Sequence, residues 1–195
     1  MTYIGYQKMT NTINSHLGGN IIEGDPKTYA PNVWNYVINR FAVKSVLDLG
    51  CGIGYAANYF FDKGMKVVGI DGMDENIARA IYPVVQCDLT QGFVTCKVDL
   101  VHCQEVVEHV EEQFIENTLR SLTCGKIILL TNGLPGQKGF HHVNNQPTEY
   151  WVEHLKRYNC HVLLEDTKRI RKIAENEGAI YLARTGTLYA NRDKF

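Results

Sequence analysis

The chain has 195 residues, a length that suits one domain with a sizeable hydrophobic core. Apolar residues make up 45% and charged residues 21% of the sequence, which is typical of a soluble globular protein. The formal net charge of −1 gives no overall basic field. Composition therefore argues against recruitment by nucleic acid or by an anionic membrane surface.

The cysteines and the apolar segments indicate the cellular compartment of the protein. The 6 cysteines form no Cys-x-x-Cys pair and show no spacing typical of a metal site. The N-terminus lacks a basic stretch followed by an apolar one, and no apolar run approaches the roughly 20 residues that span a bilayer. Scattered free thiols without a membrane segment predict a cytoplasmic protein.

The first 40 residues divide into two parts. Residues 1–24 are polar and show little periodicity, which predicts an irregular arm. Apolar residues then recur at helical spacing from Val33 to Phe41, behind a proline at position 31 that suits the first turn of a helix. We predict an amphipathic helix ahead of the first strand.

Buried-type strands and helical segments alternate along the rest of the chain. Strands are predicted at 44–49, 66–71, 84–88, 98–103, 126–131, 160–165 and near 186–191. Helices are predicted at 54–63, 74–80, 115–122, 148–158 and 167–176. This alternation predicts an α/β fold with a parallel, doubly wound sheet, and no linker divides it into two domains.

Three glycines follow the first predicted strand at alternate positions, in the pattern Asp48-x-Gly50-x-Gly52-x-Gly54. Glycine is needed where the backbone approaches a ligand closely or takes a positive φ. A dinucleotide-binding loop has the spacing G-x-G-x-x-G, but Tyr55 stands where its third glycine belongs. The loop therefore predicts a nucleoside-type ligand other than a dinucleotide, at the carboxyl edge of the sheet.

Two further acids end the next strands at the same predicted edge. Asp71 lies 23 positions after Asp48, close to the spacing at which an acid accepts hydrogen bonds from ribose hydroxyls. The alternative role for Asp71 is a helix N-cap, which the turn at Gly72 and the nearby Asp74 make less necessary. Asp88 ends the third strand and is a second candidate ligand, or else a turn residue.

The glycine pattern resembles motif I of the class I S-adenosylmethionine-dependent methyltransferases. The resemblance implies a single Rossmann-like domain over residues 1–195, with a seven-stranded sheet whose last strand is antiparallel. It implies S-adenosyl-L-methionine as the cofactor, and for Asp88 a contact with the adenine amine. The cofactor-site residues that it implies are Asp48, Gly50, Cys51, Gly52, Gly54, Asp71, Gly72, Cys87, Asp88, Leu89, Cys103 and Gln104.

The fourth strand lacks the motifs of base methylation, since neither D/N-P-P-Y/F nor a Pro-Cys pair is present. Cys103 is therefore expected to be a small strand-end residue and not a nucleophile. His109, just beyond it, is a candidate base, with a structural hydrogen-bonding role as the equal alternative.

The loop 132–147 carries His141 and His142, and neutral histidine is the commonest side-chain base near pH 7. We predict that at least one of them faces the substrate, the alternative being that one caps local backbone. No metal is predicted, because adjacent imidazoles diverge and no acid lies near them in sequence.

A wider pattern resembles a group of small bacterial and phage methyltransferases of unassigned substrate. It comprises His16-x-Gly18-Gly19, Gly24-Asp25-Pro26, Glu105-x-x-Glu108-His109, Pro135-Gly136-Gln137, His141-His142-Val143-Asn144 and Tyr150-Trp151. The resemblance implies that residues 1–40 and 132–151 form the acceptor pocket and that 44–195 form the cofactor-binding sheet.

The sequence thus predicts methyl transfer to a small-molecule or sugar-type acceptor, at oxygen or nitrogen. Nucleic acid and membranes are not expected as partners, given the near-neutral charge. Two alternatives stay open. One is a nucleic-acid or protein methyltransferase that docks through the basic run 168–172, and the other is a non-catalytic cofactor-binding protein.

Overall fold

The computed structural model describes residues 15–18 and 23–194, so most of the predicted N-terminal arm lies outside the described residues. The strands are β1 (Ser45–Leu49), β2 (Lys66–Asp71), β3 (Val84–Gln86), β4 (Val98–Cys103), β5 (Gly125–Leu130), β6 (Cys160–Val162) and β7 (Thr187–Asn191). The α-helices are α1 (Pro31–Phe41), α2 (Tyr55–Asp62), α3 (Asp74–Ala78), α4 (Ile115–Leu122), α5 (Thr148–Lys156), α6 (Leu164–Glu177) and α7 (Ile180–Thr185). Short 3-10 helices include Ser15–Leu17, Pro26–Thr28, Val107–His109 and Glu112–Phe114.

The strands form one sheet in the order β3-β2-β1-β4-β5-β7-β6. Strands β1 to β5 pair in parallel, whereas β7 runs antiparallel to both of its neighbours. The predicted fold class, a doubly wound seven-stranded sheet with an antiparallel last strand, is confirmed. The order reverses between β1 and β4, and ligands bind at such a switch point in open α/β sheets.

Both faces of the sheet are covered, because successive side chains of each strand point to opposite sides. On one face, Val46 and Leu100 pack with α1, α2, α6 and α7, and Trp34 of α1 is fully buried there. On the other face, Leu47 and Val101 pack with α4 and α5. The central strands are therefore held rigidly from two sides, which fixes the loops at their carboxyl ends.

Most element boundaries lie within two residues of the sequence prediction, and the larger differences have local causes. Strand β3 ends at Gln86 because the Asp88 side chain accepts a hydrogen bond from the Thr90 amide and closes a turn. Strand β6 ends at Val162, and α6 begins at Leu164, earlier than predicted. The six-residue α7 was not predicted, because a helix of this length shows too little periodicity.

None of the described helices is both long and apolar enough to cross a membrane.

Replacing Leu100 by alanine is expected to lower the free energy of unfolding by about 2–5 kcal/mol, because the side chain is fully buried in a close-packed core. The control is Val85→Ala in β3, where the side chain is 57% exposed and a change of about 0.5 kcal/mol is expected. Urea denaturation measures both. Equal losses in the two variants would contradict the described packing of β4.

Candidate functional site

The glycine loop after β1 takes a backbone path that other residues rarely adopt. Gly50, Gly52 and Gly54 all have positive φ, at 71°, 56° and 90°. A Cβ on Gly50 would lie 2.3 Å from a methyl carbon of Val106, so this position has no room for a side chain. A Cβ on Gly52 would meet nothing within 4 Å. Gly52 thus leaves open space where a ligand can approach the backbone.

Asp71, at the end of β2, holds this loop in place. Its Oδ2 accepts a hydrogen bond from the Gly52 amide at 2.8 Å. Its Oδ1 accepts from the Met73 amide at 2.9 Å and from the Asn76 side chain at 3.1 Å. Burial raises the pKa of this carboxyl, against the three hydrogen bonds that lower it. An ionised carboxylate offers about four acceptor positions, so Asp71 can still accept from a ligand hydroxyl.

A cavity of about 120 Å³ lies beside Asp71. Gly72, Cys87, Asp88 and Leu89 line it, as the sequence analysis expects of this edge. Asp88 is already engaged, since its Oδ2 lies 3.0 Å from Nε2 of His16. Burial opposes its charged form, but the hydrogen bonds from His16 and Thr90 prevail and lower the pKa of Asp88.

A second cavity, of about 540 Å³, adjoins the first along the glycine loop. The residues that line both cavities are Gly50, Gly52, Asn76, Glu105 and His109. Asp48, Cys51 and Gln104, three of the predicted cofactor-site residues, line the larger one. The two cavities together give a continuous space at the switch point of the sheet.

His102 on β4 belongs to this wall, and the sequence analysis missed it. Its Nδ1 lies 2.6 Å from Oδ1 of Asp48, the residue paired with it in register on β1. Its Nε2 lies 3.3 Å from Oε1 of Gln104. Oδ2 of Asp48 and Nε2 of Gln104 are buried without a partner among the described residues. His102 stands two positions before Gln104, and alternate residues of a strand point to the same side. This spacing is the sequence signal that points to His102 as a site residue.

Aromatic and basic side chains surround the larger cavity away from the glycine loop. The aromatic residues are Tyr29, Trp34, Tyr55, Phe140 and Tyr181, and the basic residues are Lys138 and Arg184. They come from the segment before β1, from α2, from the loop after β5 and from α7. This part of the cavity can accept a ring and a polar or anionic group.

Two of the three candidate histidines line the larger cavity, and the third lines neither cavity. His109 and His142 line the larger cavity, with ring centroids 4.9 Å apart. His141 lines neither cavity, and its backbone carbonyl lies 3.2 Å from Nδ1 of His109. Burial lowers the pKa of His109 to about 4 and also lowers the pKa of His142, so both rings are neutral at pH 7. His141, the third candidate base, therefore contacts His109 through its backbone carbonyl, and its catalytic role stays a prediction.

Two predicted cofactor-site residues lie behind the cavity wall. Gly54 is the N-cap residue of α2, and a Cβ there would lie 3.0 Å from that of Tyr82. The Cys103 side chain is fully buried in the core. Burial raises the pKa of its thiol well above the usual range, which agrees with the expectation that Cys103 is not a nucleophile. The structure gives both residues a supporting role.

Glu105 lines both cavities and the buried Glu108 lies behind it, and the sequence alone gave neither residue an individual role. Glu105 has a positive φ of 56°, and its Oε1 accepts a hydrogen bond from Oγ1 of Thr131 at 2.9 Å. Glu108 is 0% exposed, and neither of its carboxyl oxygens has a hydrogen-bond partner among the described residues. Burial and the neighbouring Glu105 raise the pKa of Glu108 well above its usual value.

Comparisons with known proteins agree with this geometry. Residues 47–130 match the family described as "Methyltransferase domain". The chain is 32% identical over 109 residues to a probable S-adenosylmethionine-dependent methyltransferase of Mycolicibacterium smegmatis, covering 51% of this chain and 42% of that protein. It is 30% identical over 104 residues to the ubiquinone biosynthesis O-methyltransferase of Rickettsia typhi, covering 48% and 42%. The chain thus spans less than half the length of these relatives.

Solved structures share the fold. The methyltransferase domain of a bacterial protein, CtHen1, superposes with a TM-score of 0.55 at 18% identity, over 68% of this chain and 85% of that one. The [4+2]-cyclase SpnF superposes with a TM-score of 0.54 at 14% identity, over 96% and 86%.

Replacing Asp71 by alanine is expected to lower the free energy of unfolding by at least about 2 kcal/mol, since two backbone amides and one side-chain amide lose a charged acceptor. The control is Asp62→Ala on the exposed side of α2, with an expected change of about 0.5 kcal/mol or less. Urea denaturation measures the difference, provided that the slope of the free energy of unfolding against urea concentration is the same in both variants. An Asp71 variant as stable as the parent would show that the carboxylate serves a ligand alone.

Proposed function

We propose that this chain, a member of the class I S-adenosylmethionine-dependent methyltransferases, transfers a methyl group to oxygen or nitrogen of a small-molecule acceptor. The observation that carries the proposal is the junction of two cavities at Gly50 and Gly52, under the switch point of the sheet. The smaller cavity has the acids suited to a nucleoside, and the larger has room for an acceptor.

The described residues fit the cofactor. Gly52 leaves open space beside a positive-φ backbone, Asp71 retains an acceptor position for ribose hydroxyls, and Asp88 lies at the far end of the smaller cavity. The unpartnered Oδ2 of Asp48 and Nε2 of Gln104 would serve the polar amino-acid portion. When bound, S-adenosyl-L-methionine supplies an electrophilic methyl group on a sulfonium sulfur.

The acceptor side is built mainly from apolar and aromatic groups. Proximity and alignment of a bound acceptor can lower the activation barrier by roughly 7–11 kcal/mol in favourable systems. A rigid pocket that aligns the acceptor with the methyl group is therefore the main requirement for catalysis. The neutral rings of His109 and His142 face this side, where they can hold the acceptor oxygen or receive its proton. The names of the Rickettsia relatives, ubiquinone biosynthesis O-methyltransferases, support oxygen as the methylated atom.

The basic run on α6 gives little support to nucleic-acid docking. Lys168 pairs with Glu165 at 2.8 Å, and Lys172 pairs with Glu175 at 2.7 Å. The Arg171 side chain donates to the Gly186 carbonyl at 2.8 Å. These contacts describe the solvated face of a helix, so we favour the small-molecule acceptor.

Cofactor choice is the first test. Calorimetry is expected to show binding of S-adenosylmethionine or S-adenosylhomocysteine, and poor binding of NAD, because Tyr55 stands where a dinucleotide loop has glycine. Gly52→Val should weaken S-adenosylhomocysteine binding by about a hundredfold or more, a loss of about 2.8 kcal/mol. Gly64→Val is the matched control: Gly64 also has a positive φ and open space, but it lines neither cavity. Tighter binding of NAD, or equal effects of the two variants, would refute the assignment.

Turnover is the second test. A panel of catechols, other phenols and sugars with labelled cofactor should reveal an acceptor, with one S-adenosylhomocysteine released per methyl transferred. His142→Ala should lower turnover by about 10²–10⁴-fold while cofactor affinity stays unchanged, because His142 lines only the larger cavity. His109→Ala should lower turnover by a similar factor. His141→Ala should retain turnover, because His141 lines neither cavity.

Cofactor binding without methyl transfer to any acceptor would favour the non-catalytic alternative. Full turnover in the His109 and His142 variants would reduce both rings to a structural role. A collapse of cofactor binding in the His142 variant, with the fold intact, would show that this ring lies on the cofactor side.

A further inference from the structure

We propose that Glu108, His109 and His142 bind a divalent transition-metal ion on the acceptor wall of the larger cavity. One ligand atom from each of the three side chains lies within 4.8 Å of the others. Small rotations would bring all three to the distances of about 2.0–2.2 Å found at metal centres. Metal binding does not depend on the proposed methyl transfer, whereas the use of the ion to hold the acceptor oxygen rests on it.

The hydrogen bonds of the two histidines leave one nitrogen of each ring available. Nδ1 of His109 lies 3.2 Å from the carbonyl oxygen of His141 and donates to it. Nδ1 of His142 lies 3.1 Å from Oδ1 of Asn145, whose Nδ2 donates to the Gln137 carbonyl at 2.7 Å. The amide orientation of Asn145 is thereby fixed, and its oxygen requires a proton on Nδ1 of His142. In both rings the free lone pair is on Nε2, and metal-binding histidines are held by backbone and side-chain acceptors in this way.

Glu108 supplies the strongest sign that a cation belongs here. Its side chain is fully buried, and its carboxyl oxygens lie near the Glu105 carboxyl and the Gly133 amide without a well-aligned hydrogen bond to any described residue. A buried carboxylate without a partner is costly, and a divalent ion beside it removes that cost. Glu105 lies next to it and adds a second carboxylate, with one oxygen engaged by Thr131.

The backbone brings the ligands together from distant parts of the chain. The Glu108 carbonyl accepts hydrogen bonds from the amides of Val143 and Asn144, both at 3.0 Å. The Asn144 side chain also donates to the Val110 carbonyl at 3.1 Å. These bonds fix the loop that carries His142 against the turn that carries the other two ligands. Sequence spacing pairs His142 with the adjacent His141, whereas the fold brings the His142 ring against His109, with ring centroids 4.9 Å apart.

The donor set indicates the class of ion. Two imidazoles and one carboxylate suit Mn²⁺, Fe²⁺, Co²⁺ or Zn²⁺, whereas Mg²⁺ and Ca²⁺ prefer oxygen ligands alone. Three protein ligands leave coordination positions open, and His109 and His142 both line the cavity. An acceptor oxygen can bind at those positions. The two rings would then act through the ion, in place of the proton-accepting role predicted for them from the sequence.

The test uses the full chain without a histidine tag, after treatment with a chelator. Titration with Mn²⁺, followed by electron paramagnetic resonance, is expected to show one equivalent bound. Glu108→Gln, His109→Ala and His142→Ala should each weaken Mn²⁺ binding by at least about a hundredfold. Asn145→Ala, which frees the His142 ring, should weaken it by about 10–100-fold. His154→Ala removes an imidazole from α5, away from both cavities, and should leave the affinity unchanged.

Circular dichroism and urea denaturation show whether each variant is folded. If Glu108→Gln fails to fold, His142→Ala decides the question, because that ring is on a half-buried surface loop. An absence of stoichiometric Mn²⁺ binding, or unchanged affinity in the folded variants, would overturn the proposal. A sulfur-to-metal charge-transfer band with Co²⁺ would also overturn it, by placing the ion on a cysteine.

Methyl transfer provides a separate measurement. Activity lost in chelator and restored by Mn²⁺ supports the use of the ion to hold the acceptor. Equal activity with and without chelator, in protein that binds Mn²⁺, would refute that use and leave the binding site established. If no acceptor is methylated, the proposed function fails, and the Mn²⁺ titration still decides whether the metal site exists.

Discussion

The buried contact between Asp48 and His102 joins the two central strands at the point where the order of the sheet reverses. The loops that follow these strands leave in opposite directions, so a space opens between them. The glycine loop forms one wall of that space, and the segment that begins with Glu105 forms the other. Because both faces of the sheet are packed, the two walls cannot shift independently, and the shape of the site depends on this pairing.

Unpartnered polar atoms concentrate around the same space. Oδ2 of Asp48, Nε2 of Gln104 and both carboxyl oxygens of Glu108 are buried without a partner among the described residues. Folded proteins satisfy nearly all such groups, so a cluster of exceptions marks a place where stability is given up for binding. The first two atoms lie beside the region suited to the cofactor, and Glu108 lies beside the acceptor wall. The arrangement of these atoms thus divides the site into the two halves that the proposed reaction needs.

The loop after β5 connects the acceptor wall to the core. Its amides at Val143 and Asn144 are bound by the Glu108 carbonyl, and its Asn132 side chain donates to the Gln146 carbonyl at 2.8 Å. Backbone and side-chain hydrogen bonds therefore hold this loop as part of the site. A single buried residue, Glu108, contributes its carbonyl to this ordering and its carboxylate to the proposed metal site, which explains why two distant histidines meet.

The sequence alone determined the fold class and predicted the edge of the sheet at which we propose that the cofactor binds. Strand and helix periodicity, three glycines at alternate positions and the acids Asp71 and Asp88 depend on local spacing, and local spacing is visible in a sequence. The tertiary structure alone decided which polar side chains meet. His102 faces Asp48 because the register of β1 and β4 pairs them. His142 packs against His109, 33 positions earlier in the chain, because the loop folds back onto Glu108. Contacts between distant segments follow from packing and hydrogen bonding of the whole chain, and no periodicity in the sequence records them.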